Sequence, residues 1–249
     1  MTAPTIVFIP GAWHGPEALD AVRRDLSARG YPTSAVPLPS VGTSDPSVAV
    51  TADAAAIRAE LDKLLAEGKD VILVPHSYGG VPSSNAVRGL SKADRTAAGE
   101  KGGVLMIVYM AAFAIPAGTS LLDGLNSQYL PWWDIQDGFV RPKTPVDIFY
   151  ADVEPELAAK TAATLLPVPF TIFTEKCDYE PWKHGIAAGY IFAENDNALL
   201  IQVQKGMASQ FPEGSFTASL AASHSPFLSM PKKLGDAIEG AAKHAVGSA

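Results

Sequence analysis

The sequence predicts an α/β fold: a doubly wound, mostly parallel sheet with a helical cap inserted into it. Apolar strands and amphipathic helices alternate over the first 110 residues, the pattern of a parallel sheet with crossover helices. The run Val71–Val74 is continuously apolar, as expected of a strand covered on both faces. Prolines and aromatic residues crowd the segment 115–185, which predicts the insertion.

The first elements follow from punctuated apolar patterns. A strand is predicted over Thr5–Ile9, because the β-branched and aromatic run stops at Pro10-Gly11. A helix begins near Pro16 and ends at Gly30. A short strand at 34–36 and a helix reaching about residue 67 complete this part.

A strand, a sharp turn and a helix are predicted around Ser77, within Val71-Ile-Leu-Val-Pro-His-Ser-Tyr-Gly-Gly80. This arrangement is typical of a nucleophile elbow, in which the turn exposes the serine hydroxyl above the sheet. Gly79 allows the helix at 81–90 to pack close to the strand. Pro75 stands where the usual Gly-x-Ser-x-Gly pattern has its first glycine, and an ordinary βα turn is the alternative interpretation.

The segment 115–185 contains ten of the 21 aromatic residues and many prolines. We therefore predict a core of residues 1–114 and 186–249 and a helical cap of residues 115–185, within one structural domain. A strand at 104–109 precedes the cap. After it we predict the strands Gly189–Ala193 and Ser215–Leu220, and the helices Ala198–Met207 and Phe227–Val246.

Ser77, Asp196 and His224 are the predicted catalytic residues. A serine hydroxyl needs a neighbouring base, and the base needs an acid to orient it. In such a sheet these partners follow later strands in the order serine, acid, histidine. Asp196 lies three residues after one predicted strand and His224 four residues after the next.

Other candidates exist for each partner. Glu194 and Asp178 are the alternative acids, and Asp196 could instead be a plain helix cap. His76 should point away from the Ser77 hydroxyl. His184 belongs to the cap, and His244 to the terminal helix.

The developing oxyanion of an acyl transfer needs hydrogen-bond donors. We predict the backbone N–H groups of Ala12 and Tyr78 for this role. The substrate-binding residues are predicted to be Gly11, Trp13, His14, Trp132 and Trp133, with a structural role as the alternative for His14. The aromatic residues of the cap could line a pocket, form the cap's own core, or do both.

Composition excludes several function classes. A net charge of −7 and a pI near 5.2 argue against nucleic acid and anionic membranes as partners. The single Cys177 offers no disulfide and no cysteine metal cluster, so no metal or other cofactor is expected. No leader or long apolar segment is evident, so a soluble, cytoplasmic protein with a small-molecule substrate is expected.

The chain resembles the α/β-hydrolase superfamily, and within it the small esterase-like members related to plant methylesterases and hydroxynitrile lyases and their fungal and bacterial relatives. Five segments carry the resemblance: Phe8–Gly15, His76–Pro82, Gly102-Gly103 with Tyr109–Ala111, Tyr190–Asp196 and Ser223–Pro231. The resemblance implies an eight-stranded type of sheet without its first two strands. Pro10 replaces the histidine common before the oxyanion glycine.

A serine hydrolase acting on a carboxylic ester or lactone with an apolar or aromatic part is the leading functional hypothesis. The alternatives are a lyase, a C–C hydrolase or a cyclase using the same residues, or a small-molecule receptor with weak turnover. Related hydroxynitrile lyases place a lysine after the catalytic histidine and a threonine at the oxyanion-loop glycine. Ser225 and Gly11 occupy these positions here, which favours ester hydrolysis.

Overall fold

The computed structural model describes residues 3–247; residues 1–2 and 248–249, the outer ends of the predicted core, lie outside the described residues. The strands are β1 (Thr5–Ile9), β2 (Thr33–Ala35), β3 (Asp70–Pro75), β4 (Gly103–Met110), β5 (Trp133–Gln136), β6 (Phe139–Pro142), β7 (Val168–Pro169), β8 (Ala187–Ala193) and β9 (Phe216–Leu220). The helices are α1 (Asp20–Ala28), α2 (Val50–Ala66), α3 (Gly80–Ala86), α4 (Lys92–Ala97), α5 (Leu121–Gly124), α6 (Pro145–Phe149), α7 (Pro155–Ala162), α8 (Thr171–Thr174), α9 (Ile201–Ala208), α10 (Pro226–Ser229) and α11 (Pro231–Gly247). Short 3-10 helices cover Pro16–Leu19, Ser77–Gly79 and Pro181–Lys183.

Six parallel strands form the central sheet in the order β2-β1-β3-β4-β8-β9, which confirms the predicted α/β class. The chain winds from β1 outward to β2 and then returns to the other side of β1 with β3. In open α/β sheets, ligands bind beyond the carboxyl ends of the strands where the winding reverses. The loops after β1 and β3 are therefore expected to form the site.

Alternating side chains of the strands face two hydrophobic layers. Ile6 and Phe8 of β1 pack with the apolar faces of α1 and α11, whereas Val7 and Ile9 pack with that of α2. The period of two along a strand sends successive side chains to opposite faces of the sheet. Both faces are therefore covered, as the continuous apolar strands indicated.

The inserted segment differs from a purely helical cap. Alongside α5 to α8 it contains a three-stranded antiparallel sheet in the order β5-β6-β7. Asp137 and Gly138 connect β5 to β6 with φ values of 49° and 80°. An Asp-Gly pair with two positive φ angles is the preferred two-residue turn of a hairpin.

The carboxyl-terminal helix also differs from the prediction, which placed it over Phe227–Val246. It is broken at Met230, between α10 and α11. Pro231 disfavours the helical conformation of the residue before it and has no N–H group to donate. Within residues 3–247, no helix combines the length and the apolar character that crossing a membrane requires.

Candidate active site

Ser77 lies in a strained turn at the carboxyl end of β3. Its φ is 51°, a left-handed conformation that is uncommon for residues other than glycine. The backbone N–H of Phe113, after β4, donates a hydrogen bond of 3.0 Å to the Ser77 carbonyl oxygen. A strained residue persists only where its surroundings hold it, and such residues cluster at functional sites.

Two glycines allow the loops after β1 and β3 to approach each other. A Cβ atom on Gly79 would lie 2.4 Å from the backbone oxygen of Pro10. A Cβ atom on Gly11 would lie 2.9 Å from the Cβ atom of Ser77. Since real Cβ atoms do not tolerate such distances, the sequence at both positions is dictated by the contact between the loops.

His224 and Asp196 form a buried hydrogen-bonded pair. The Nδ1 atom of His224 lies 2.7 Å from Oδ2 of Asp196, and the two residues are 2% and 4% exposed. The backbone N–H groups of Ala198 and Leu199 donate to the other carboxylate oxygen, each over 2.8 Å. A carboxylate in this setting accepts, so Nδ1 carries the proton and Nε2 of the neutral ring is left as an acceptor.

The alternative acids lie elsewhere. Glu194 is exposed, and Asp178 is exposed and forms an ion pair with Arg88 over 3.3 Å. His184 is also exposed, with its ring stacked on that of Tyr179. Asp196 is therefore the carboxylate that contacts His224.

A mostly apolar cavity opens over Ser77. Its lining residues are Ala12, Trp13, Ser77, Tyr78, Phe113, Leu121, Leu125, Leu130, Trp132, Trp133, Phe149, Phe173, Ala198, Leu199 and His224. No aspartate, glutamate, lysine or arginine is among them. The residues that the structure describes contain no cluster of three or more histidine, cysteine, aspartate or glutamate side chains placed to hold a metal ion.

The cavity brings together most of the predicted site residues. Those that line it are Ser77, His224, Ala12, Tyr78, Trp13, Trp132 and Trp133, whereas Asp196, Gly11 and His14 do not. Sequence reasoning did not assign Phe113 or Leu199 to the site. Phe113 lies three residues after the end of β4 and Leu199 six residues after the end of β8, so both are in loops at the carboxyl edge of the sheet, a signal that could have identified them.

His14 connects the loop after β1 to the inserted segment. Its Nδ1–H donates to the Ala12 carbonyl oxygen over 2.8 Å, and its Nε2 accepts from the Tyr150 hydroxyl over 2.7 Å. Burial lowers the pKa of His14 from 6.5 to about 4, with the nearby His224 adding to the effect. His14 therefore stays neutral and orders the backbone of this loop.

The buried state of His14 predicts a loss of stability in mild acid. As the pH falls from about 6.5 to about 4, unfolded chains take up a proton that folded His14 refuses, which costs about 3 kcal/mol of stability in total. Melting temperatures across this range should fall, and His14→Asn should flatten the fall. Equal slopes for wild type and His14→Asn would refute the assignment.

His76 lies between the loops that carry Ser77 and His224. Its Nε2–H donates to the backbone oxygen of His224 over 2.8 Å, and the centroids of the His76 and His224 rings are 4.5 Å apart. Burial, followed by the neighbouring His224 and His14, places the pKa of His76 well below its usual value. His76 is thus a neutral donor that supports the backbone of the His224 loop.

Tyr78 is anchored by a buried hydrogen bond to Asp53. Its hydroxyl donates to Oδ2 of Asp53 over 2.6 Å, and the hydroxyl and N–H groups of Ser40 also donate to this carboxyl group. Burial raises the pKa of Asp53, while the hydrogen bonds from Ser40 and Tyr78 oppose that rise. This contact orders Tyr78, which follows Ser77 in the chain and whose backbone N–H is a predicted oxyanion donor.

Comparison with known proteins places the chain in a family. Residues 6–237 match the model of the alpha/beta hydrolase family. The chain is 31% identical to the alpha/beta hydrolase nvfD of Aspergillus novofumigatus, with 99% of each chain covered. It is 28% identical to a pyrethroid hydrolase of Sphingobium wenxiniae, covering 96% of this chain and 87% of that protein.

Structural comparison agrees with the sequence matches. The crystal structure of a methylesterase from Arabidopsis superposes with a TM-score of 0.77, at 22% identity, covering 97% of this chain and 99% of that one. The fold, the matched family model and the fungal and bacterial relatives confirm the predicted resemblance. The chain belongs to the α/β-hydrolase family.

Proposed function

We propose that the protein is a cofactor-free serine hydrolase that cleaves a carboxylic ester or lactone through an acyl-enzyme on Ser77. The observation that carries the proposal is that one cavity is lined by both Ser77, at its strained turn, and His224, whose ring is hydrogen-bonded to Asp196. An uncharged His224 has a free Nε2 acceptor for the serine proton.

The reaction then proceeds in two halves. Ser77 attacks the carbonyl carbon while His224 accepts the hydroxyl proton, and His224 returns this proton to the departing alcohol. Water, deprotonated by His224, next attacks the acyl group; the bond between the acyl carbon and Ser77 Oγ breaks, the acid is released, and His224 returns the proton to Oγ. Asp196 stabilises the imidazolium form, and the backbone N–H groups of Ala12 and Tyr78 donate to the oxyanion.

The cavity favours an uncharged substrate with an apolar or aromatic part. Ring centroids of Trp132 lie 5.6 Å from Trp13 and 5.4 Å from Phe149, and those of Trp133 and Phe173 are 4.4 Å apart. Four of these five rings, all except that of Trp13, belong to residues 115–185, outside the strands of the central sheet. We propose that this segment acts as a cap over the core of residues 1–114 and 186–249 and selects the substrate.

Turnover assays separate ester hydrolysis from the lyase alternative. We expect the protein to hydrolyse p-nitrophenyl and other simple aryl esters and to release no cyanide from mandelonitrile above the background rate. Ser225 and Gly11 provide no fixed cation for a departing cyanide. Cyanide release that Ser77→Ala abolishes would contradict the proposal, as would binding of aryl esters without any turnover.

Replacing Trp132 by alanine should raise KM for bulky aryl esters more than for small ones, because its ring lines the cavity and is only partly buried. Trp133 is 6% exposed, so Trp133→Ala should in addition cost about 3–5 kcal/mol of stability. Trp182, also 6% exposed, does not line the cavity. Trp182→Ala should therefore lower the melting temperature without changing ester preference; equal KM changes for small and bulky esters in Trp132→Ala would exclude the substrate role.

A further inference from the structure

A buried glutamine lies beside the acid of the proposed catalytic residues. Gln204, in α9, is 0% exposed, and a fully buried amide must satisfy its polar atoms within the protein. Its Oε1 accepts from the N–H group of Ala193 over 3.0 Å, and its Nε2 donates to the oxygen of the same residue over 3.0 Å. Gln204 thus pairs with the last residue of β8.

The same amide nitrogen reaches the turn that carries Asp196. It lies 2.6 Å from the backbone oxygen of Leu199 and 3.2 Å from Oδ2 of Asp196, so its two hydrogens are shared among three acceptors, with the Ala193 oxygen as the third. Every group facing Nε2 is an acceptor, so the reversed amide orientation would oppose oxygen to oxygen. The orientation of the Gln204 amide is therefore set by its surroundings.

The contact with Asp196 falls on the catalytically relevant oxygen. Oδ1 of Asp196 is held by two backbone N–H groups of its own turn, whereas Oδ2 accepts from His224 and from Gln204. The two donors on Oδ2 come from different parts of the chain. A carboxylate with donors on both oxygens loses its rotational freedom, and this keeps Oδ2 directed at Nδ1 of His224.

We propose that Gln204 is a positioning residue that acts on catalysis through Asp196, a role that rests on the proposed function. Its amide holds the end of β8, the turn before α9 and the Asp196 carboxylate in one arrangement. The imidazole of His224 then keeps the tautomer and the direction that proton transfer from Ser77 requires.

A double-mutant cycle with Asp196 tests this role. Methionine has nearly the size of glutamine but no N–H donor, so Gln204→Met should lower kcat for an aryl ester about 10–100-fold with little change in KM. In the Asp196→Asn background the same substitution should cost less than about twofold, because residue 196 no longer orients the imidazole.

The matched control is Gln210, the next glutamine of the chain. It is exposed, its Nε2 lies 3.4 Å from the oxygen of Ala114 and 3.3 Å from that of Met207, and it makes no hydrogen bond to Asp196. Gln210→Met should leave kcat unchanged in both backgrounds. Melting temperatures of all variants report any loss of fold; if Gln204→Met does not fold, Gln204→Asn, whose amide is one methylene too short to reach Asp196, replaces it.

Four outcomes distinguish the possibilities. A loss of kcat that disappears in the Asp196→Asn background supports the positioning role. Equal losses in both backgrounds would show a merely structural role, and a kcat within twofold of wild type in a folded variant would overturn the inference. If Asp196→Asn itself retained normal kcat, the proposed function of Asp196 would fail instead.

Discussion

Ser77→Ala should lower kcat for aryl esters by about 10⁶-fold, the effect of removing the nucleophile in enzymes whose triad works as a unit. Alanine keeps the Cβ atom and removes only the hydroxyl oxygen, so the turn between β3 and α3 should persist. The residual rate would come from the oxyanion donors and substrate binding. Steady-state rates, with melting temperatures measured beside them, provide the test.

The matched control for this substitution is Ser83→Ala in α3. Ser83 is 0% exposed, its hydroxyl has no hydrogen-bond partner, and it does not line the cavity. This variant should retain wild-type kcat. Ser77→Ala with more than about a hundredth of wild-type activity would indicate that His224 and Asp196 activate water directly, without an acyl-enzyme.

Asp196→Asn should lower kcat about 10³–10⁴-fold with little effect on the fold. The N–H groups of Ala198 and Leu199 both donate to one side of this carboxylate, so an asparagine there should place its oxygen toward them. Its NH₂ group would then face Nδ1 of His224, which must lose its proton to accept. The imidazole would be held in the tautomer whose Nε2 carries a proton and cannot act as base.

Glu194→Gln supplies the matched comparison for Asp196→Asn. Glu194 is exposed and lies only two residues before Asp196, so it controls for a change of carboxylate to amide in the same loop. Its kcat should stay at the wild-type value. Nearly normal activity of Asp196→Asn together with an inactive Glu194→Gln would show that the acid is Glu194 and that its assignment to Asp196 is wrong.

The sequence predicted those features that local patterns encode. The apolar run before Ser77 and the glycines after it indicated a strand and a close turn, and β3 and α3 form there. Asp196 and His224 could be selected because the carboxyl ends of parallel strands meet at one edge of a sheet. Chain order and distance from a strand end were sufficient for that inference.

Other features depend on contacts between distant parts of the chain. The hydrogen bond between His14 and Tyr150 joins residues 136 positions apart, and no local sequence pattern predicts it. Gln204 gave a weak signal, since it shares the buried face of α9 with Met207. The hairpin of β5 and β6 could have been predicted, because Asp137-Gly138 is a strong turn signal. Pro231 likewise marked the break between α10 and α11.

The central claim is that Ser77 is an activated nucleophile, and covalent labelling tests it most directly. A serine-directed phosphonofluoridate should modify the folded protein once, and peptide mass mapping should place the adduct on Ser77. Asp196→Asn should be labelled far more slowly, because the hydroxyl loses its base. Stoichiometric labelling at Ser77 is the result that we predict. Labelling at another residue, or none on protein that remains folded, would contradict the assignment.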